Sequence, residues 1–280
     1  MSFLNSEDVP AFTLAGFTLN VEERATLFAS LAIKKDQEKL PSIHLWGKIL
    51  GINQDYLLAQ SVSATSLFER KYYYTLDNLN WYQLPEVTPE ERRQADSIQG
   101  RFFGDPSYEH TVPKNHEDPE SSETKMREEK RLAATISSIN YDVEIVPRGA
   151  YYRDLNRVVR KNPSFQGTPH LLAERCSRLP KEDFGQTHCY MHFRDGFEVT
   201  TRTLTERINK FDDAIDIFES IENDEPKGVW SVQAEVGGTV AIVRSLQWPG
   251  HTFIHSASPL RFTSFYFGTG QKNHNIGFML

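Results

Sequence analysis

The stretch from 228 to 280 constrains the fold more than any other part of the chain. GVWSVQAEVGGTVAIVRSLQWPGHTFIH, followed by FTSFYFGTGQKNHNIGFML, reads as successive antiparallel strands that end in an aromatic-rich tail built to pack. Gly237-Gly238 separates two runs rich in β-branched residues. Only glycine accepts the positive φ angles of a two-residue hairpin turn without steric cost, so the pair predicts a hairpin. Trp248-Pro249-Gly250 turns the chain again. Trp230, Val232, Ala234 and Val236 alternate with Ser231, Gln233 and Glu235, the period of a strand with one buried and one wetter face.

Upstream, Asn20 and Glu23 have the spacing of a reciprocal helix cap. Val21, Ala25, Phe28 and Ala32, supported by Leu27 and Leu31, recur at helical spacing and predict a helix running to about Lys34. IHLWGKILG and DYLLAQSV read as a hairpin turned by Ile52-Asn53-Gln54, with Ile43, Leu45, Gly47 and Ile49 on one face. KYYYTL and WYQLP flank a second turn at Asp77-Asn78-Leu79-Asn80. Thr88-Pro89-Glu90-Glu91 opens a helix with a cap hydroxyl, a proline at the first position and acids in the first turn, and Gly100 closes it. VPKNHEDPESSETKMREEKR is too polar to bury enough surface to offset the entropy of ordering it, and predicts a surface excursion. A helix then carries Leu132, Ile136 and Ile139 inward. It is followed by a strand DVEIV and a turn at Pro147-Arg148-Gly149. Short helices are expected at Thr168 to Leu172 and at Asp212 to Ile221.

The fold class that emerges is α+β: antiparallel β-hairpins and a C-terminal β-meander with several amphipathic helices and one charged, mobile insertion. The expected layout is a single unit over 1–280. Within it, 20–105 is a helix plus hairpins, 107–131 a charged loop or linker, and 132–280 helices and the β-rich part. A chain of 280 residues buries about three quarters of its unfolded surface, so its core needs neither disulfide nor metal.

Chemistry-bearing motifs do not survive inspection. A net charge of −7 disfavours a phosphate-backbone binder, which needs a basic stripe. MSFLNSEDVP lacks the basic region and apolar core of a signal peptide, and no apolar run spans a bilayer, so a chain neither secreted nor membrane-spanning is expected. Cys176 and Cys189 form no CxxC pair and read as reduced thiols. His188 and His192, and His251 and His255, are both HxxxH pairs. The second pair falls in a strand, where that spacing separates them by about 13 Å, too far for one ion, and the first lacks the HExxH glutamate. Gly268-Thr269-Gly270 matches no phosphate loop, and Ser164 and Ser245 sit in no GxSxG elbow. The carboxylates from Glu117 to Glu129 read as a solvated charge run that faces outward. No catalytic, cofactor-binding or metal-binding residue is assigned.

What remains is aromatic. Tyrosine and phenylalanine number 11 and 18, and Tyr72-Tyr73-Tyr74, Trp81-Tyr82, Tyr151-Tyr152 and Phe265-Tyr266-Phe267 place rings on both faces of strands. Such strands are sandwiched in a core or present a face to another protein. The candidate core or partner-interface residues are Trp46, Tyr56, Tyr72, Tyr74, Trp230, Trp248 and Tyr266.

At LWGKILGINQDYLLAQ, GRFFGDPSYEH, PKGVWSVQAEVGGTVAIVRSLQWPGHTF and YFGTGQKNHNIGFML the chain resembles the radial spoke head family of motile cilia and flagella. The resemblance runs from about Val21 to Leu280 and weakens at the N-terminus, after Pro113 and around Ser164 to Gly185. WYQLPEVTPEERRQADSIQGRFFG, IVPRGAYY and VRSLQWPG are also similar to stretches of the paralogous radial spoke head proteins 4 and 6. The resemblance implies a non-enzymatic structural subunit of the axoneme, without cofactor, that helps pass mechanical signals between the central pair and the dynein arms. It also implies partners: radial spoke head proteins 4 and 6, MORN-repeat protein 1 of the head, scaffold protein 3, and transient contact with central-pair projections. Nucleic acid and membrane are not expected partners. Competing readings are a cytosolic assembly adaptor for spoke proteins and a hydrolase with a histidine-held metal.

Overall fold

The computed structural model describes residues 16–113, 125–165, 186–194, 217–235, 240–257 and 260–278. Helix α1 (Val21–Glu38) starts where expected. The Asn20 side chain accepts from the Val21 N–H at 2.6 Å, and the Glu23 carboxylate accepts from the Asn20 N–H at 2.8 Å, closing the capping box. It continues one turn past Lys34. The apolar period ends there, but the following residues are good helix formers, and Lys34 and Glu38 pair at 2.6 Å one turn apart. Lys39, at φ 52°, ends it.

Strands β1 (His44–Ile49), β2 (Tyr56–Val62), β3 (Arg70–Thr75) and β4 (Tyr82–Gln83) form the expected N-terminal hairpins. Asn78 takes φ 62° in the β3–β4 turn, where the Asp77 side chain accepts from the Leu79 and Asn80 N–H groups. Helix α2 (Pro89–Ser97) has the Thr88–Glu91 capping box and proline at its start. Next come β5 (Glu109–Thr111), β6 (Lys125–Arg127), α3 (Glu128–Val143), β7 (Ile145–Pro147), β8 (Tyr151–Arg153), β9 (Val159–Lys161) and β10 (Tyr190–His192). The meander is β11 (Trp230–Glu235), β12 (Val240–Ser245), β13 (His251–Ala257) and β14 (Leu260–Gly268). Among the described residues no helix is long and apolar enough to cross a membrane.

Eight strands make one sheet in the order β11-β12-β13-β14-β1-β2-β3-β4. Every neighbouring pair is antiparallel except β14 and β1, which run parallel and join the N-terminal hairpins to the C-terminal meander. That seam needs Gly47. A Cβ there would lie 2.1 Å from the Tyr266 carbonyl oxygen.

The sheet is covered on both faces, which is why large side chains point both ways. Leu27 and Leu31 of α1 pack on Leu45, Leu57, Ala59, Tyr73, Trp81 and Phe265. On the other face Leu132, Ile136, Ile139 and Val143 of α3 pack on Trp46, Ile49, Tyr56, Leu58, Tyr74 and Tyr266. At about 1.5–3 kcal/mol per buried apolar side chain, those four α3 residues contribute up to about 6–12 kcal/mol. The polar tail after β14 is held by Ile276, buried in the same cluster, and by the Asn273 N–H donating to the Gln247 carbonyl at 2.8 Å.

Several expectations need correction. A register shift between Leu45 and Gly47 breaks the alternation of β1. Ile43 and Leu45 face α1, whereas Ile49 joins Trp46 against α3, and Lys48 reaches Glu23 of α1 at 2.8 Å. The outward charge run holds for Lys125, Arg127 and Lys130, which are exposed, and fails at its end. At both ends of the 107–131 stretch the chain is in regular structure, because β5 pairs with β6 and α3 begins at Glu128. Glu128 and Arg131, counted by sequence as solvated, are buried. Strand β7 starts at Ile145, since α3 runs through Val143 and takes the first half of DVEIV. The helix expected over Asp212 to Ile221 is not helical from 217 to 220, although Ile217, Phe218 and Ile221 are buried. Its earlier part, the short helix at Thr168, the Gly237-Gly238 turn and Cys176 lie outside the described residues.

Candidate functional site

The structure places Trp46, Tyr56, Tyr74, Trp230, Trp248 and Tyr266 in the cluster between the sheet and α3, with Tyr72 partly buried against it. Rings of this size carry polar tips that must be satisfied in a core. Trp46 donates from Nε1 to Asn140 Oδ1 at 2.9 Å, and Asn140 Nδ2 donates to the Tyr72 hydroxyl at 2.8 Å. Trp248 Nε1 donates to Asp142 Oδ2 at 2.9 Å, the same oxygen that accepts from Lys272 Nζ at 2.8 Å. Trp230 Nε1 donates to Asp224 Oδ2 at 2.7 Å, and Asp224 also holds His192 Nε2 at 2.8 Å. Trp81, on the other face, donates to Ser30 Oγ of α1 at 3.0 Å. All 4 tryptophans of the chain are thereby bonded to a second element or loop. Tyr266 accepts from the Gly270 N–H at 3.0 Å and pins the turn after β14.

Tyr56 leads to the most connected group in the described structure. The Glu128 side chain is 0% exposed. Its Oε1 accepts from the Tyr56 hydroxyl at 2.8 Å, from the Gly104 N–H at 2.7 Å and from the Asp105 N–H at 3.2 Å. Its Oε2 accepts from the Phe103 N–H at 2.7 Å and from His110 Nε2 at 2.8 Å. Burial pushes the carboxyl up, but the bonds from His110, Phe103, Gly104 and Tyr56 outweigh it and hold its pKa below the usual carboxylate value. One turn on, the Arg131 guanidinium lies over the Phe102 ring at 4.5 Å and donates to the carbonyls of Ile98 and Gly100. Glu128 and Arg131 together fasten the GRFFGD loop to the start of α3. A buried charge of this kind fixes geometry and is not poised for reaction, because every neighbour is a donor already in place.

A third polar centre lies at the other end of α3. Arg70 of β3 and Glu144 meet at 2.8 Å, both nearly buried, with the guanidinium over Phe193 at 5.5 Å. Burial pushes the Glu144 carboxyl up against the pull of Arg70. The two HxxxH pairs stay apart in role. His188 lies in a short 3-10 turn, His192 is held by Asp224, and His251 and His255 are buried in β13. Burial holds the last two down to about 3 and about 4, so both are neutral. Among the described residues, no three His, Cys, Asp or Glu side chains gather as a metal site. Cys189 is buried in the main cluster.

Sequence reasoning found the aromatic rings and missed the polar groups that hold them: Asn140, Asp142, Asp224, Glu128 and the Arg70–Glu144 pair. Nothing in a charged stretch marks which acid turns inward. A broad groove of about 500 Å³ lies between α1 and the β3–β4 turn. Its lining is mixed: Ile33, Leu79 and Tyr82, which are 58%, 61% and 56% exposed, stand beside Lys34, Gln37 and Asn80.

Comparison with known proteins accords with a packed scaffold of this kind. The family described as "Radial spokehead-like protein" matches residues 6–71. The chain is 37% identical over 273 residues to the Radial spoke head protein 9 homolog of Bos taurus, covering 95% of each chain. It is 36% identical to the homologs of Homo sapiens and Danio rerio, covering 95% of this chain in both cases and 95% and 94% of theirs. Identity at that level across nearly the full length of each partner leaves no room for a shared fragment alone, and the chain belongs to the radial spoke head protein 9 family.

Proposed function

We propose that the chain is a non-enzymatic structural subunit of the axonemal radial spoke head, folded over 1–280 as one unit. Its role in this reading is to support assembly of the spoke head and to pass mechanical signals between the central pair and the dynein arms during ciliary and flagellar beating. The observation that carries it is the full-length similarity to radial spoke head protein 9 homologs. The physical organisation supports it. A subunit that transmits force benefits from one continuous sheet clamped between helices and cross-linked by buried polar contacts, since many hydrogen bonds are then loaded together. The partners we propose are radial spoke head proteins 4 and 6, MORN-repeat protein 1 and scaffold protein 3, with brief contact to central-pair projections. Trp46, Tyr56, Tyr72, Tyr74, Trp230, Trp248 and Tyr266 serve the chain's own core in this reading, and contacts fall to surface residues.

The test is deletion in a ciliated cell followed by electron tomography of the axoneme. Spokes lacking part or all of the head, restored by the wild-type chain, are expected. Intact spoke heads in the deletion strain would overturn the structural role. A protein confined to the cell body would support the assembly-adaptor reading instead.

A further inference from the structure

Beside Glu144, where α3 ends against the sheet, lies a small cavity of about 10 Å³. Its lining includes Glu144, His251, Ser264 and Asn140, with Trp46 and Tyr266 among the apolar walls. One water molecule needs roughly 10–15 Å³ and two to four polar partners. The size is at the lower edge of that range, and the partners are present.

Two of them are otherwise unpaired. Glu144 uses Oε2 to hold Arg70 at 2.8 Å, while its Oε1 is buried without a hydrogen-bond partner. His251 Nδ1 is likewise buried and unpartnered. Both residues are only 5% exposed. A buried carboxylate oxygen and a buried imidazole nitrogen are costly to leave unsatisfied, so native structures almost always give such groups a partner. Asn140, whose oxygen accepts from Trp46 and whose amide donates to Tyr72, makes no hydrogen bond to either atom.

We propose that this cavity is a binding site for a single ordered water, which donates to Glu144 Oε1, bridges it to His251 Nδ1 and has Ser264 Oγ as a third partner. Water fits where a cation would not, because the positive charge facing Glu144 is already supplied by Arg70. A neutral imidazole is compatible with either tautomer, since water both donates and accepts. The bridge completes a polar chain from Arg70 of β3, through Glu144 at the end of α3, to His251 of β13 and Ser264 of β14. That chain spans the parallel seam between β1 and β14 and ties the N-terminal hairpins to the meander beneath α3.

A crystal structure of the full chain, at a resolution that shows ordered water, tests this directly. The expected result is a density peak about 2.6–3.2 Å from both Glu144 Oε1 and His251 Nδ1. A cavity without density, or a direct hydrogen bond between Glu144 and His251, overturns the proposal. In solution, deuteron relaxation dispersion counts long-lived waters. His251→Leu is expected to lose one relative to wild type. Should that variant fail to fold, Ser264→Ala removes only the third partner and is expected to shorten the residence time of the same water. An unchanged count of long-lived waters in His251→Leu, or an unchanged residence time in Ser264→Ala, contradicts the site.

Discussion

Replacing Glu128 by alanine withdraws the acceptor from Tyr56, His110 and the N–H groups of Phe103, Gly104 and Asp105 in one step. The bonds from Tyr56 and Gly104 are buried. At about 1–3 kcal/mol for each buried group left unsatisfied, those two alone cost about 2–6 kcal/mol. The Phe103, Asp105 and His110 donors add to this and water entering the space left by the side chain recovers part of it, so the expected loss is about 3–5 kcal/mol. For a chain of 280 residues, with an unfolding entropy of about 2.1 cal/mol/K per residue, that lowers Tm by roughly 5–9 °C. Glu128→Gln should cost nearly as much, since its amide nitrogen would face a donor. Glu129→Ala, next in sequence and only partly buried, should stay within about 0.5 kcal/mol of wild type. The pH dependence gives a second reading. The folded carboxyl titrates below its ordinary value of 4.5, so its contribution is complete above that pH and is lost as pH falls through the folded pKa. Glu128→Ala should therefore flatten the acid limb of the stability profile. Urea denaturation from neutral pH downward measures both effects. If Glu128→Ala proves as stable as Glu129→Ala, the reasoning that one buried carboxylate organises the GRFFGD loop is refuted.

Histidine burial predicts a different pH window. His44, His251 and His255 are held to about 4, about 3 and about 4 by burial, against an ordinary value of 6.5. The unfolded chain binds protons that the folded one refuses, so stability falls between pH 6.5 and 4 by up to about 1.4 kcal/mol per pH unit for each of His251 and His255, and by less for the partly exposed His44. His255→Phe, beside Phe253 and Phe262, should reduce that slope, and urea midpoints independent of pH across the window would contradict the burial. Gly47→Ala drives a Cβ to within 2.1 Å of the Tyr266 carbonyl and should open the β1–β14 seam at a cost of at least about 2–3 kcal/mol, read as faster amide exchange in both strands. Unchanged exchange there would show the seam tolerates the side chain. The double substitution Ile33→Ser and Leu79→Ser in the exposed groove should leave stability within about 0.5 kcal/mol per site by urea denaturation, and a larger loss would mean the groove is part of the fold.

The elements that sequence predicted well are those with local causes. The Asn20–Glu23 and Thr88–Glu91 boxes and the Asp77-Asn78 turn are each set by residues a few positions apart, and each appears; the strand from Trp230 also forms, but its alternation does not, since Ser231 and Val232 are both half-buried and Gln233 and Ala234 both exposed. The misses have non-local causes. Nothing near Gly47 reveals that its strand will run parallel to one more than two hundred residues away, yet that partner demands the glycine, while a register shift against β2 moves Ile49 across the sheet. Glu128 reads as one acid in a charged run until the GRFFGD backbone and Tyr56 are brought around it. Arg70 and Glu144 are likewise unremarkable until the fold seals them together. The aromatic residues were visible because ring size alone argues for burial, whereas their polar anchors depend on which helix lands on which face.

The central claim, that this chain is a fixed part of the radial spoke head, is tested most directly by what it travels with. Axonemes from a ciliated cell carrying a tagged chain would be extracted with salt, sedimented, and each fraction identified by mass spectrometry. Co-migration in a large particle with radial spoke head proteins 4 and 6 is the predicted result. Recovery as a small free species, absent from axonemes, would contradict it.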